Sequence, residues 1–142
     1  MTWTRERRCE LLAEMAEDTL VGLAERAMAD AEAVAVLSPE VGMVMLDVRE
    51  PIAEERFHLG EVLVTRAEVE RRGHRGWAMR MGRAPLAALA AAVLDTELEA
   101  AGPLAAEIEA VLAETERDLR FRADAEWAEL APTEVRFEVM EQ

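Results

Sequence analysis

Eleven consecutive apolar residues, Ala84 to Leu94, most restrict how this 142-residue chain can fold. The run is too short to cross a bilayer, which takes about 20 residues. Pro85 suits the first turn of a helix, and Gly102-Pro103 ends the pattern. Because this helix is apolar nearly all round, we expect it to be buried. The length of the chain predicts a single domain over residues 1–142.

Three further segments have helical periodicity. Residues 4–17 predict a first helix, and Asp18 or Thr19 can cap a second, so that residues 1–30 form a helical hairpin. A long acidic helix follows Gly102 and ends at Pro132. Residues 83–131 are therefore expected to hold two C-terminal helices.

Residues 31–82 predict a sheet. Ala33 to Leu37 is a short apolar run, and turn-forming residues occupy 38–42. A strand with alternating polarity follows around residues 44–48. After a second strand over residues 57–72, the turn at 73–76 leads into a returning strand at 77–81. We expect a meander of about four antiparallel strands, and thus an α+β fold with the helices packed on the sheet.

The second strand should be central. Val62, Leu63 and Val64 are apolar on both faces, which is typical of a strand covered on both sides. Gly60 interrupts the strand where a β-bulge is expected. Residues 132–142 predict an extended C-terminal segment, because Val135, Phe137 and Val139 alternate with polar residues there.

The charge of the chain limits its partners. The formal net charge is −14, and every basic residue other than histidine is arginine. Such a charge repels phosphate backbones and anionic membrane surfaces, so we expect neither nucleic acid nor membrane as a partner. The N-terminus does not resemble a secretory signal, and we expect a cytoplasmic protein.

Motifs of catalysis are missing from the sequence. It has no glycine-rich phosphate loop, and its one serine, Ser38, lies in a predicted turn. His58 and His74 lack neighbours at metal-ligand spacing, and Cys9 occupies an apolar helix position. We therefore predict no catalytic residue, no metal site and no cofactor on this chain.

Arginines concentrate in the predicted sheet. Residues 56–83 contain seven arginines and three acids. One interpretation is cross-strand ion pairing. The other is a face that recognises an anion or docks a partner, in which Arg66 is positioned by packing because it follows the apolar core of its strand.

Several short motifs resemble those of the PhnG family, the G subunit of the carbon–phosphorus lyase core complex. They are Glu55-Arg56-Phe57, Gly60-Glu61, Thr65-Arg66, Val69, Gly76-Trp77 and the closing Thr133-x-Val135-x-Phe137. The chain departs from the family at Glu138 and Val139, where a second aromatic residue or a threonine often stands. The candidate residues for binding a ligand or partner are Arg56, Glu61, Thr65, Arg66 and Trp77.

The resemblance implies an accessory role in a multi-subunit transferase. The family assembles with the H, I and J subunits, and the L protein acts with the G, H and I subunits. Together they replace the adenine of ATP with a phosphonate, giving ribose 1-methylphosphonate 5-triphosphate. The nucleosidase-like chemistry is placed on the I subunit, which is the expected contact, so this chain alone is expected to be non-catalytic. From the residues alone, the isolated chain is expected to self-associate, because it carries more apolar surface than a small acidic monomer needs to expose: Trp3, Trp77, Trp127, Met79 and Met81.

A different class of function also fits the residues. A small free-standing lyase could bind an anion through an arginine on the central strand, and Arg66 and Glu61 would then form the site. Neighbouring genes for phosphonate uptake and carbon–phosphorus lyase would decide for the subunit over this alternative.

Overall fold

The computed structural model describes residues 3–29 and 33–135. Seven regular elements and a short 3₁₀ turn, Ala131–Thr133, occur within these ranges. They are α1 (Arg5–Glu14), α2 (Glu17–Ala27), β1 (Val34–Arg49), β2 (Arg56–Arg71), β3 (His74–Met81), α3 (Pro85–Glu99) and α4 (Ala105–Leu130). The chain thus has an α+β fold, as the sequence predicts. Residues 136–142, which include Phe137 and Val139 of the predicted extended segment, lie outside the described residues.

The described sheet has three antiparallel strands in the order β1-β2-β3, where the sequence predicted about four. The difference lies in β1, which the sequence divided into two strands around a turn. Residues 38–42 instead continue one strand whose register shifts between Leu37 and Glu40. Pro39 is tolerated there because β1 is an edge strand, where a missing N–H costs no ladder hydrogen bond.

Two predicted irregularities of the sheet are present. The register shifts between Leu46 and Asp47, which pair with Gly60 and His58 and leave one extra residue on β2 as a bulge. Arg72 and Gly73 both have positive φ and join β2 to β3 in a two-residue turn. The tight turn therefore begins one residue earlier than predicted, and Gly76 lies within β3.

Helix α3 is the centre of the core, as its apolar sequence predicts. Its residues from Ala90 to Leu98 are all buried, and the core also takes Leu11, Leu20 and Ile108 from the other three helices. Helix α2 begins at Glu17 with Ala16 as its N-cap, so the predicted caps Asp18 and Thr19 lie inside the helix.

Gly76 lets α3 approach the sheet closely. A Cβ at this position would overlap the carbonyl oxygen of Ala92 on α3.

None of the helices within residues 3–29 and 33–135 has the length and apolar content that a membrane span requires.

Candidate functional site

The structure does not bring the five candidate residues together. Successive side chains of a strand point to opposite faces of the sheet. Thr65 is buried, whereas Arg66 and Trp77 are exposed on the face of the sheet opposite α3. Arg56 and Glu61 are exposed further along the β1–β2 hairpin.

Thr65 has a local structural contact. Its hydroxyl donates to the carbonyl oxygen of Gly82 at 2.6 Å and accepts from the backbone N–H of Ala84 at 3.0 Å. These bonds tie β2 to the start of α3. The threonine therefore fixes the link between sheet and helix.

Arg66 forms a cross-strand ion pair. Its Nε lies 2.7 Å from Oε1 of Glu40, its partner in the register, and 44% of its side chain is exposed. The expectation that packing holds Arg66 is wrong, because its side chain lies on an open sheet face. The strand arginine that packing does hold is Arg71, whose side chain is 1% exposed.

Arg71 belongs to a buried ion pair. Its Nη1 lies 2.6 Å from Oε2 of Glu97, whose side chain is also 1% exposed. Glu97 accepts a second bond from the backbone N–H of Leu104 at 3.0 Å. Arg71 also donates to the carbonyl oxygen of Ala27, the last residue of α2. One pair thus joins β2, α2, α3 and the segment that leads into α4.

A second buried carboxylate, that of Asp95, binds the backbone of β3 at its outer edge. Asp95 accepts from the backbone N–H of Trp77 at 3.0 Å and from Nη2 of Arg5 at 2.7 Å. Arg5 also donates to the carbonyl oxygen of Arg75 at 2.6 Å. The bond to Asp95 raises the pKa of Arg5. Burial, together with Asp95, raises the pKa of the neighbouring Cys9 thiol to about 11, so the thiol is not activated as a nucleophile.

Arg80 binds the C-terminal end of α1. Its two terminal nitrogens each donate at 2.9 Å, one to the carbonyl oxygen of Leu12 and the other to that of Met15. Burial lowers the pKa of Arg80. The guanidinium is therefore engaged inside the protein rather than presented to a ligand.

A groove of about 710 Å³ runs between α1 and β3. Its apolar lining includes Val64, Trp77 and Met79. Charges of both signs surround it: the arginines Arg5, Arg75 and Arg80 and the glutamates Glu6, Glu10, Glu14 and Glu68. With this balance, the groove does not form a concentrated site for a polyanion.

The part of the β1–β2 hairpin that β3 does not reach exposes many apolar side chains. Strand β3 pairs with β2 only from Val64 onward. We call residues 43–63 the arm. Its exposed apolar residues lie on both faces: Met43, Val44, Met45, Leu46, Ile52, Phe57, Leu59 and Leu63. The prediction that residues 62–64 are covered on both sides is wrong for Leu63, which is 37% exposed.

The tip of the arm is ordered by one carboxylate. Glu50 accepts backbone N–H bonds from Ile52 at 2.7 Å and from Ala53, and these bonds lower its pKa. The backbone N–H of Glu50 donates in turn to the carbonyl oxygen of Glu55 at 3.0 Å. Ile52, which is 93% exposed, is thereby held at the end of the hairpin.

Sequence reasoning missed the buried carboxylates and the exposure of the arm. The sequence does contain one signal for the carboxylates, since Asp95-Thr96-Glu97 directly follows the apolar run of α3 and shares its helix. All three are buried. Acids in the middle of a buried helix need cationic or hydrogen-bonding partners, but the sequence does not show that Arg5 and Arg71 supply them.

A protein-family model described as "Phosphonate metabolism protein PhnG" matches residues 3–142. A search of curated proteins finds no match to the chain.

Proposed function

The chain belongs to the PhnG family of phosphonate metabolism proteins, and on that premise we propose that it is an accessory subunit of the carbon–phosphorus lyase core complex. In this role it is needed to form α-D-ribose 1-methylphosphonate 5-triphosphate from ATP and methylphosphonate, with release of adenine. Its partners are the H, I and J subunits and the L protein, and the I subunit is its direct contact. Catalysis by this transferase belongs to the assembly, which works in the cytoplasm.

The observation that carries this proposal is the exposed apolar arm. Contiguous exposed apolar surface on a small protein is typical of an interface. Met45 is 67% exposed, Leu59 is 59% exposed and Met43 is 54% exposed. Covering such side chains stabilises an assembly through the hydrophobic effect. A subunit role accounts for this surface.

The positions of the arginines support a scaffold rather than a ligand-binding role. Arg71 and Arg80 bond to groups inside the protein, and Arg66 pairs with Glu40. A net charge of −14 also repels a triphosphate. In this proposal, ATP and the phosphonate bind on other subunits of the complex. The same contacts disfavour a free-standing lyase that uses Arg66 as its anion site.

Complementation tests the proposal. A strain that lacks its own G subunit but keeps the other phosphonate genes is supplied with this chain and grown on methylphosphonate as the sole phosphorus source. We expect growth to be restored, and the product triphosphate to be detected by mass spectrometry in the purified complex. Growth on inorganic phosphate is the control. Failure to restore growth, with the chain expressed and folded, would contradict the proposal.

The isolated chain supplies the complementary measurement. Purified alone with ATP and methylphosphonate, it should release no adenine above a mock preparation. Adenine release by this chain alone would show that the chemistry resides here rather than in the assembly.

A further inference from the structure

We propose that the arm, residues 43–63, inserts into a cleft of a partner subunit that covers both faces of the hairpin. This inference rests on the proposed function, because it assigns the surface through which the subunit assembles. The partner is a different protein. Its cleft is apolar, with basic residues at the inner end that receives the tip of the arm.

The need for cover follows from the exposed faces. An isolated two-stranded hairpin is only marginally stable in water. Met45 and Leu46 are adjacent, so they point to opposite faces, and they are 67% and 42% exposed. A flat partner surface would cover only one of them. A cleft covers both and leaves the backbone hydrogen bonds of the hairpin intact.

The dimensions of the arm suit such an insertion. Its seven β1 residues, Met43 to Arg49, span about 23 Å at ~3.3 Å per residue, and two strands make a ribbon about 10 Å wide. Its two faces therefore offer roughly 500 Å². With the adjoining side chains of Met79 and Met81 on the same sheet, the surface approaches the ~800 Å² per partner of a stable interface.

Charge distinguishes the partner from a second copy. The arm carries five acids and two arginines, a net charge of −3, and four of the acids lie at 47–55. The whole chain has a net charge of −14, so a second copy would meet an acidic tip with an acidic surface. A cleft with basic residues at its inner end complements the tip.

The tip is already shaped for insertion. The backbone bonds to Glu50 fix the loop around Ile52 before any partner is present. A loop that is ordered in advance loses less conformational entropy on binding. Ile52 is therefore a pre-positioned apolar anchor for the inner end of the cleft.

Co-expression with tagged I subunit, H and J tests the proposal. In one variant, residues 45–61 are replaced by Asn-Gly, which joins the cross-strand partners Val44 and Val62 through a tight turn. The point variants Met45→Glu and Leu46→Glu each place a charge on one face. We expect the shortened chain to be lost from the complex and each point variant to weaken assembly by at least about tenfold in Kd, because a buried unpaired charge is costly.

Two controls separate docking from folding. Phe121→Glu changes an apolar residue that is 76% exposed on α4, outside the arm, and should assemble like the unmodified chain. The hydrophobic core contains no residue of the arm. The shortened chain should therefore keep its circular dichroism spectrum and a cooperative thermal transition.

The outcomes are distinguishable. Equal assembly of the shortened and unmodified chains would overturn this inference while leaving the proposed function standing. If the unmodified chain itself does not assemble, the proposed function fails first. Analytical ultracentrifugation can reveal a dimer of this chain that requires the arm. If such a dimer forms while the complex assembles without the arm, a second copy covers the arm and the inference is overturned.

Discussion

Replacing Arg71 with methionine should destabilise the protein far more than the same change at Arg66. Both arginines lie on β2, and among the described residues Arg71 pairs with Glu97 and Arg66 with Glu40. In the Arg71–Glu97 pair both side chains are 1% exposed, whereas in the Arg66–Glu40 pair they are 44% and 50% exposed. Arg71→Met leaves the Glu97 carboxylate buried without its ion-pair partner, while Arg66→Met leaves Glu40 in water.

The burial sets the expected magnitudes. Removing one member of a buried pair costs about 3–5 kcal/mol, and an exposed pair contributes about 0–1 kcal/mol. For a domain of this size each kcal/mol lowers Tm by about 3–4 °C. We therefore expect Arg71→Met to lower Tm by roughly 10–20 °C and Arg66→Met by less than about 4 °C.

Urea and thermal unfolding monitored by circular dichroism measure both changes. The double variant Arg71→Met/Glu97→Gln should recover most of the loss, because a neutral amide can still accept the Leu104 N–H and no longer carries a charge. If Arg71→Met costs no more than Arg66→Met, or if the double variant is no more stable than the single, the burial argument is refuted.

Two further changes test other contacts. Gly76→Ala should destabilise the fold by several kcal/mol, since its Cβ would overlap Ala92 and Thr96 of α3. Gly60→Ala is the control and should change stability little, because the space around its Cβ position is open. A small effect of Gly76→Ala in urea unfolding would contradict the close approach of β3 and α3. Because burial raises the pKa of Cys9 from 9.0 to about 11, iodoacetamide at pH 8 should alkylate the folded chain about 100-fold more slowly than the urea-unfolded chain. The alkylation rate of the folded chain should rise with pH up to about pH 11. Equal rates for the folded and unfolded chains would show that the thiol is open to solvent.

The helices and most of the sheet could be predicted because their signals are local. Pro85 and the apolar run after it place α3, and Gly60 marks the bulge in β2. The error in β1 is also local in origin. Serine, proline and glycine at 38–42 are typical of a turn, but an edge strand absorbs the same residues as a register shift.

The pairing of charges could not be predicted, because the partners are distant in sequence. Asp95 and Arg5 are 90 residues apart, and Arg71 and Glu97 are 26 apart. The apolar pattern at 62–64 predicts side chains that are covered. It does not tell whether this chain or another protein provides the cover, and for Leu63 this chain does not.

Two of the sheet arginines also bear on the order of folding. Arg80 binds the carbonyl oxygens of Leu12 and Met15 at the end of α1, and Arg71 binds that of Ala27 at the end of α2. Cations stabilise helix C-termini by opposing the macrodipole, and the last turn of α1 contains none of its own. Arg80, which lies on β3, supplies that positive charge. We therefore expect a peptide of residues 3–16 to form little helix by itself. In the whole chain, we expect α1 to form only after the β2–β3 hairpin has closed.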